Sequence, residues 1–244
     1  MIPKISSSKL VAHQYLSFRV FRYLGLSTLL SCFGMQLSLA QLKMVDRPIN
    51  WNQNRLELTR DYLTTRYNLE DPDGSITPQM IVLHWTAIPD LESSYAAFKN
   101  ETLPTARGDI SGGGALNVSA HYLIDRDGTI YRLMPDTLMA RHTIGLNHTA
   151  IGIENVGGTS DTPLTKKQIK ANANLVKYLA GRYPIRYLIG HYEYTLFQDH
   201  PLWLEVDNGY RTQKTDPGPY FMKRVRHALR RLNLKGAPNK VQEP

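Results

Sequence analysis

Cysteine is all but missing from this 244-residue chain, which has one, Cys32. A lone cysteine closes no intrachain disulfide, so the fold has to rest on its core or on a metal held by ligands other than thiolates. Acidic side chains are missing from the first 40 residues, which carry Lys4, Lys9, Arg19 and Arg22. A long hydrophobic run is missing too. The apolar stretch LGLSTLLSCFGMQLSLA, 24–40, falls short of the roughly 20 residues a bilayer span needs and contains polar side chains. A basic leader, a short apolar run and the small-x-small pair Ser38 and Ala40 make residues 1–40 an expected export signal cut before Gln41. The mature protein is then periplasmic or secreted and has no cysteine. A lipoprotein anchor at Cys32, which follows Leu-Leu-Ser, is the lesser alternative.

Removing the leader leaves 25 basic against 21 acidic residues, so much of the formal +8 charge is a property of the leader. Basic residues interleaved with aromatics are absent, as is any nucleic-acid motif, and no nucleic-acid partner is expected. The residual positive charge gathers near the C-terminus at Lys223, Arg224, Arg226, Arg230, Arg231 and Lys235. Such a run is ordinarily a solvated helix face; attraction to an anionic wall polymer or membrane is the alternative. Membrane association is expected only with lipidation, and a monomer is expected. The three glycines Gly112, Gly113 and Gly114 are not followed by Gly-Lys-Ser/Thr, which argues against a phosphate cradle and for a mobile loop over 105–117.

About 200 residues remain, enough for one domain with a proper core. Strand and helix signals alternate along them. A helix is expected from about 54 to 67, and a buried strand over the apolar run MIVL, 80–83. A short helix follows over 91–101. Asp127-Gly128 marks a hairpin turn, and AIGIENVG, 150–157, reads as another buried strand. Thr165 and Gln168 have capping-box spacing at the start of a helix over about 166–182. RYLIGH, 186–191, reads as a strand, and PYFMKRVRHALRRL as the last helix. The expectation is an α/β fold: a mixed central β-sheet flanked by helices. The chain divides into the signal at 1–40, an N-terminal extension with a short helix at 41–77, a catalytic domain at 78–235 and a tail at 236–244.

Two of the apolar strands, IVLH and YLIGH, end on histidine, His84 and His191. Ligand sites in open α/β sheets form at that carboxyl edge, and a catalytic zinc takes three protein ligands. Asp216, in QKTDPGPY, is the third candidate, with Pro217, Gly218 and Pro219 restricting the chain behind it.

The ordered set VLHWTA, VSAHYLIDRDGTIY, RHTIGLNHTAIGIE, IGHYE and KTDPGP, spanning about 78–230, resembles the zinc-dependent N-acetylmuramoyl-L-alanine amidases of the amidase-2 and peptidoglycan recognition protein family, exported bacterial branch. The resemblance implies one zinc per chain on His84, His191 and Asp216, with Glu154 and Lys214 as catalytic groups. It also implies His142 in the substrate cleft and His121 as a histidine that is structural or supports a ligand from behind. The implied substrate is the amide between N-acetylmuramic acid and L-alanine in peptidoglycan or muropeptides. Zinc would activate water and polarise the carbonyl, Glu154 would move the proton, and Lys214 would stabilise the oxyanion. A non-catalytic peptidoglycan-binding module, or a zinc amidase for another acyl-amide, are the alternatives. Three features depart from the family pattern: Arg141 in place of a usual tryptophan, the glycine-rich loop, and a long insertion at 192–213 that brings in Asp199, His200, Glu205 and Asp207.

Overall fold

A computed structural model describes residues 42–70 and 73–239. The expected leader, its Cys32 and the last five residues lie outside the described residues. The described residues form one compact unit. Six strands, β1 (Val45–Asp46), β2 (Met80–Leu83), β3 (Tyr122–Ile124), β4 (Ile130–Arg132), β5 (Ala150–Asn155) and β6 (Tyr187–Gly190), form one sheet in the order β1-β4-β3-β5-β2-β6. Only the β3–β4 hairpin is antiparallel, so the sheet is mixed. Four α-helices, α1 (Gln53–Tyr67), α2 (Leu91–Lys99), α3 (Lys166–Ala180) and α4 (Pro219–Ala228), flank it. None of the described helices is long and apolar enough to cross a membrane.

The centre of the sheet explains the apolar runs. β2 lies between β5 and β6, with all four residues buried, because parallel strands covered on both faces have no solvent side to supply with polar residues. Its odd-numbered residues, Ile81 and Leu83, pack with Ile151, Ile153, Leu188 and the inner faces of α3 and α4. Its even-numbered residues, Met80 and Val82, pack on the opposite face with Ala150, Ile189, Tyr194 and Phe197. Alternation with period two holds in all three strands, with even-numbered residues of β2 and β5 and odd-numbered residues of β6 sharing one face.

The capping box on α3 is present: Gln168 N–H donates to Thr165 Oγ1 at 3.1 Å and Thr165 N–H to Gln168 Oε1 at 2.9 Å. The lead-in to α1 contains β1, which pairs parallel with β4. The helix of the N-terminal extension is also built into the core. Fully buried Arg55 on α1 donates to the carbonyls of Asn50, Phe98 and Asn100, tying α1 to the end of α2. The glycine-rich loop contains a 3-10 turn, Gly108–Gly113, and the insertion opens with another, His191–Phe197.

Candidate active site

The parallel registers set Leu83 opposite both Ile153 on β5 and Gly190 on β6. One residue further along each strand come His84, Glu154 and His191. All three share the face of Met80 and Val82, so two imidazoles and a carboxylic acid arrive side by side at the carboxyl edge of the sheet. The backbone continues the register here, with His84 N–H donating to Ile153 O at 2.8 Å. Asp216 enters from the segment just before α4, and Tyr192 N–H donates to its carbonyl at 3.0 Å.

Three side-chain atoms then form a nearly equilateral triangle. His84 Nδ1 and His191 Nδ1 are 3.0 Å apart, and Asp216 Oδ2 lies 3.2 Å from the first and 3.1 Å from the second. All three residues are buried. Such a triangle fits a tetrahedral zinc, whose ligands at about 2.0–2.1 Å stand roughly 3.3 Å from one another. The protonation states fit as well. Burial, and then the neighbouring His191, push His84 down to about 4, which leaves a neutral, ligating imidazole at pH 7. Burial alone would raise Asp216, but the two imidazoles outweigh it and hold the carboxyl below its ordinary range. The insertion offers no rival ligand: Glu205 and Asp207 pair with Arg66, and His200 bonds Tyr187 Oη at 3.1 Å.

Glu154 and Lys214 line the same cavity as the three ligand candidates. Burial, reinforced by Asp216, raises the Glu154 carboxyl well above its ordinary value, and Lys214 and Arg107 only partly oppose this. Its Oε2 is buried without a hydrogen-bond partner among the described residues. A buried carboxyl with an open valence facing a cleft is a group equipped to exchange a proton.

His142 stands against His84 and lines the same cavity. His84 Nε2 stands 3.0 Å from His142 Nδ1, and His142 Nε2 lies 3.2 Å from Ala150 O. A carbonyl only accepts, so His142 carries its proton on Nε2 and accepts at Nδ1; Thr143 Oγ1, 2.8 Å from Nδ1, completes the group. Both ring nitrogens have protein partners, and the ring also lines the cavity in which a substrate contact was expected of it. Gly152 on β5 makes the room, because a Cβ there would come within 2.7 Å of the His142 ring. His121 is structural, accepting Gly152 N–H at 3.0 Å and donating to Leu138 O at 2.9 Å.

Sequence reasoning gave no role to the cavity wall made by Arg141 and Tyr210. The Arg141 guanidinium is buried and donates to the carbonyls of Ile110, Gly114 and Leu116 and to Tyr210 Oη. Tyr210 Oη in turn donates to Ile110 O at 3.2 Å. The residue that departs from the family pattern is the one that fastens the glycine-rich loop to the insertion.

The sequence profile of the Amidase_2 family, described as N-acetylmuramoyl-L-alanine amidase, matches residues 74–219. The chain belongs to this family. Among amidase relatives, the 1,6-anhydro-N-acetylmuramyl-L-alanine amidase AmpD of Citrobacter freundii is 31% identical over 165 residues, 62% of this chain and 79% of that protein. The endolysin of Escherichia phage T7 is 32% identical over 85 residues, 33% of this chain. The match spans about half, 56%, of that endolysin's length. The amidase LysC from Clostridium intestinale URNW, a solved structure, superposes with 24% identity and a TM-score of 0.44 over 79% of this chain and 99% of that one. The Amidase_2 match begins just after α1, whose buried contacts nonetheless make it part of the same compact unit.

Proposed function

We propose that this chain is a zinc-dependent hydrolase of the amide between N-acetylmuramic acid and L-alanine, acting on peptidoglycan or muropeptides after export. The observation that carries the reading is the triangle of His84, His191 and Asp216 with Glu154 and Lys214 facing the same cavity. Family membership and the amidase activities for which the relatives are named support the substrate.

Zinc held by the three residues would lower the pKa of water to about 7 and polarise the scissile carbonyl. Glu154, with its carboxyl tuned upward by burial, takes the proton of the attacking water and returns it to the leaving amine of L-alanine. Lys214 Nζ donates to the oxygen that becomes negative as the carbonyl is attacked. Asp216 supplies a ligand charge, and His142 keeps His84 turned so that Nδ1 faces the cavity.

The test is to purify the chain, measure its zinc, and assay sacculi for newly freed L-alanine amino termini with and without a chelator. One zinc per chain and chelator-sensitive release are expected. Glu154→Gln should retain zinc while turnover falls about 10²–10⁴-fold, and Asp216→Ala should lose both. Normal turnover in Glu154→Gln would remove that residue from the mechanism; release of no amino termini by the zinc-loaded wild type would overturn the substrate.

A further inference from the structure

Charge is sorted unevenly between the two faces of the sheet. The stretches 162–192 and 217–239 hold 12 of the 25 basic residues that follow the leader and none of the 21 acidic ones. These stretches contain α3 and α4, which pack on each other and on the same face of the sheet. The buried apolar residues of both helices, among them Leu175, Val176, Met222 and Val225, point inward to that face, which leaves the lysines and arginines on the outside. Lys166, Lys170, Lys177, Lys223, Arg224 and Arg231 are all exposed, and none has an ion-pair partner among the described residues. Acids reach this layer at its margins: Glu193 pairs with Arg226, Asp127 lies near Lys167, and Asp136 lies near Arg182. Like charges spread over two neighbouring helices repel one another, a standing cost that an anionic partner removes.

The geometry points to a docking surface for an anionic phospholipid bilayer on the outer face of the α3/α4 layer. Charge complementarity alone would suit any polyanion. Two exposed apolar side chains favour the bilayer: Tyr220, 73% exposed at the start of α4, and Leu232, 37% exposed just beyond its end. An amphipathic ring and an aliphatic side chain among lysines and arginines suit the boundary between headgroups and acyl chains, where long cationic side chains snorkel to phosphates. The surface acts without lipidation of Cys32. The site residues His84, Glu154 and His191 lie on the opposite face of the sheet, so a docked molecule keeps its cleft turned from the bilayer.

The experiment uses the chain from Gln41 on, without the expected leader, sedimented with vesicles of equal parts phosphatidylglycerol and phosphatidylcholine, and with phosphatidylcholine alone. Binding is expected to the anionic vesicles only, and to weaken as salt rises toward ~0.15 M. The variant Lys223→Glu/Arg224→Glu/Arg230→Glu/Arg231→Glu should lose at least about tenfold in partitioning, with its thermal unfolding and its turnover of a soluble muropeptide unchanged. Tyr220→Ala/Leu232→Ala should weaken binding without altering its salt dependence. No binding by the wild type, or undiminished binding by the charge-reversed variant, overturns the surface. Equal affinity for soluble polyphosphate with no effect of Tyr220→Ala/Leu232→Ala makes it a general polyanion site and overturns the bilayer assignment.

Discussion

His142 shows what a single side chain does at a distance from the chemistry. Its neutral ring gives His84 an acceptor for the Nε2 proton and so reserves Nδ1 for the cavity. Burial, and then His84 and His121 beside it, keep His142 far below its ordinary value, so it stays an acceptor at neutral pH. His142→Phe preserves the ring volume and removes the acceptor; zinc affinity should fall about 10–100-fold in a chelator competition. His142→Gln, which restores an acceptor, should recover part of that loss, and equal losses in both variants would reduce the residue to packing. His84 and His191 were legible in the sequence because each follows an apolar run whose face alternation points it to the same side. Asp216 was legible through the rigid Pro-Gly-Pro behind it. The task of His142 was not, since its partner is 58 residues away and its own segment has no periodicity.

At the level of elements, regular structure was legible wherever apolar periodicity or a cap fixes it: α1, α3, β2, β5 and the β3–β4 hairpin fall close to their expected spans. The cleft wall was not, because side chains from distant segments hold it together. Tyr210 is its centre: Arg66 stacks on the ring at 4.3 Å, Arg141 donates to the hydroxyl, and Gly113 lies beneath both. Arg66 also pairs with buried Glu205 at 2.7 Å, so the insertion is anchored at Tyr210 and at Glu205, while Tyr194 Oη donates to Thr212 O at 2.7 Å within it. The glycine-rich loop is accordingly a fastened wall, in contrast to the mobile loop its composition suggests. Gly113 admits no side chain, since a Cβ would press on Tyr210 and come within 2.5 Å of the Arg141 guanidinium. Gly113→Ala should cost about 1–3 kcal/mol of stability in thermal or denaturant unfolding. It should raise KM more than it lowers kcat, because the wall moves while His84, Glu154 and Asp216, on other segments, stay in place. An unchanged KM would separate the wall from substrate binding.

For the molecule as a whole, burying neutral histidines links stability to pH. Burial pushes His121, His148 and His84 down to about 4 from the ordinary 6.5, and it lowers His142 well below that ordinary value. Between pH 6.5 and 4 the unfolded chain binds protons at these positions that the folded chain does not. The stability they confer is complete above 6.5 and is lost as pH falls toward 4. Glu154 and Glu205, both raised by burial, act in the opposite sense, since the folded chain keeps their protons to higher pH. Four imidazoles oppose two carboxyls, so the metal-free protein should lose stability from pH 7 to pH 4.5. The helix cap Asp90 and the turn residues Asp127 and Asp207, all hydrogen-bonded and lowered from 3.8, contribute only below that window. His148 isolates the effect: its ring meets Tyr67 edge-on at 5.5 Å, and its Nδ1 is buried without a partner among the described residues. His148→Phe keeps the ring contact and removes the titration, so urea unfolding in the presence of a chelator should show the pH 7 to 4.5 loss shrinking by about 1–2 kcal/mol. An unchanged loss would mean that this imidazole takes up its proton in the folded chain as readily as in the unfolded one.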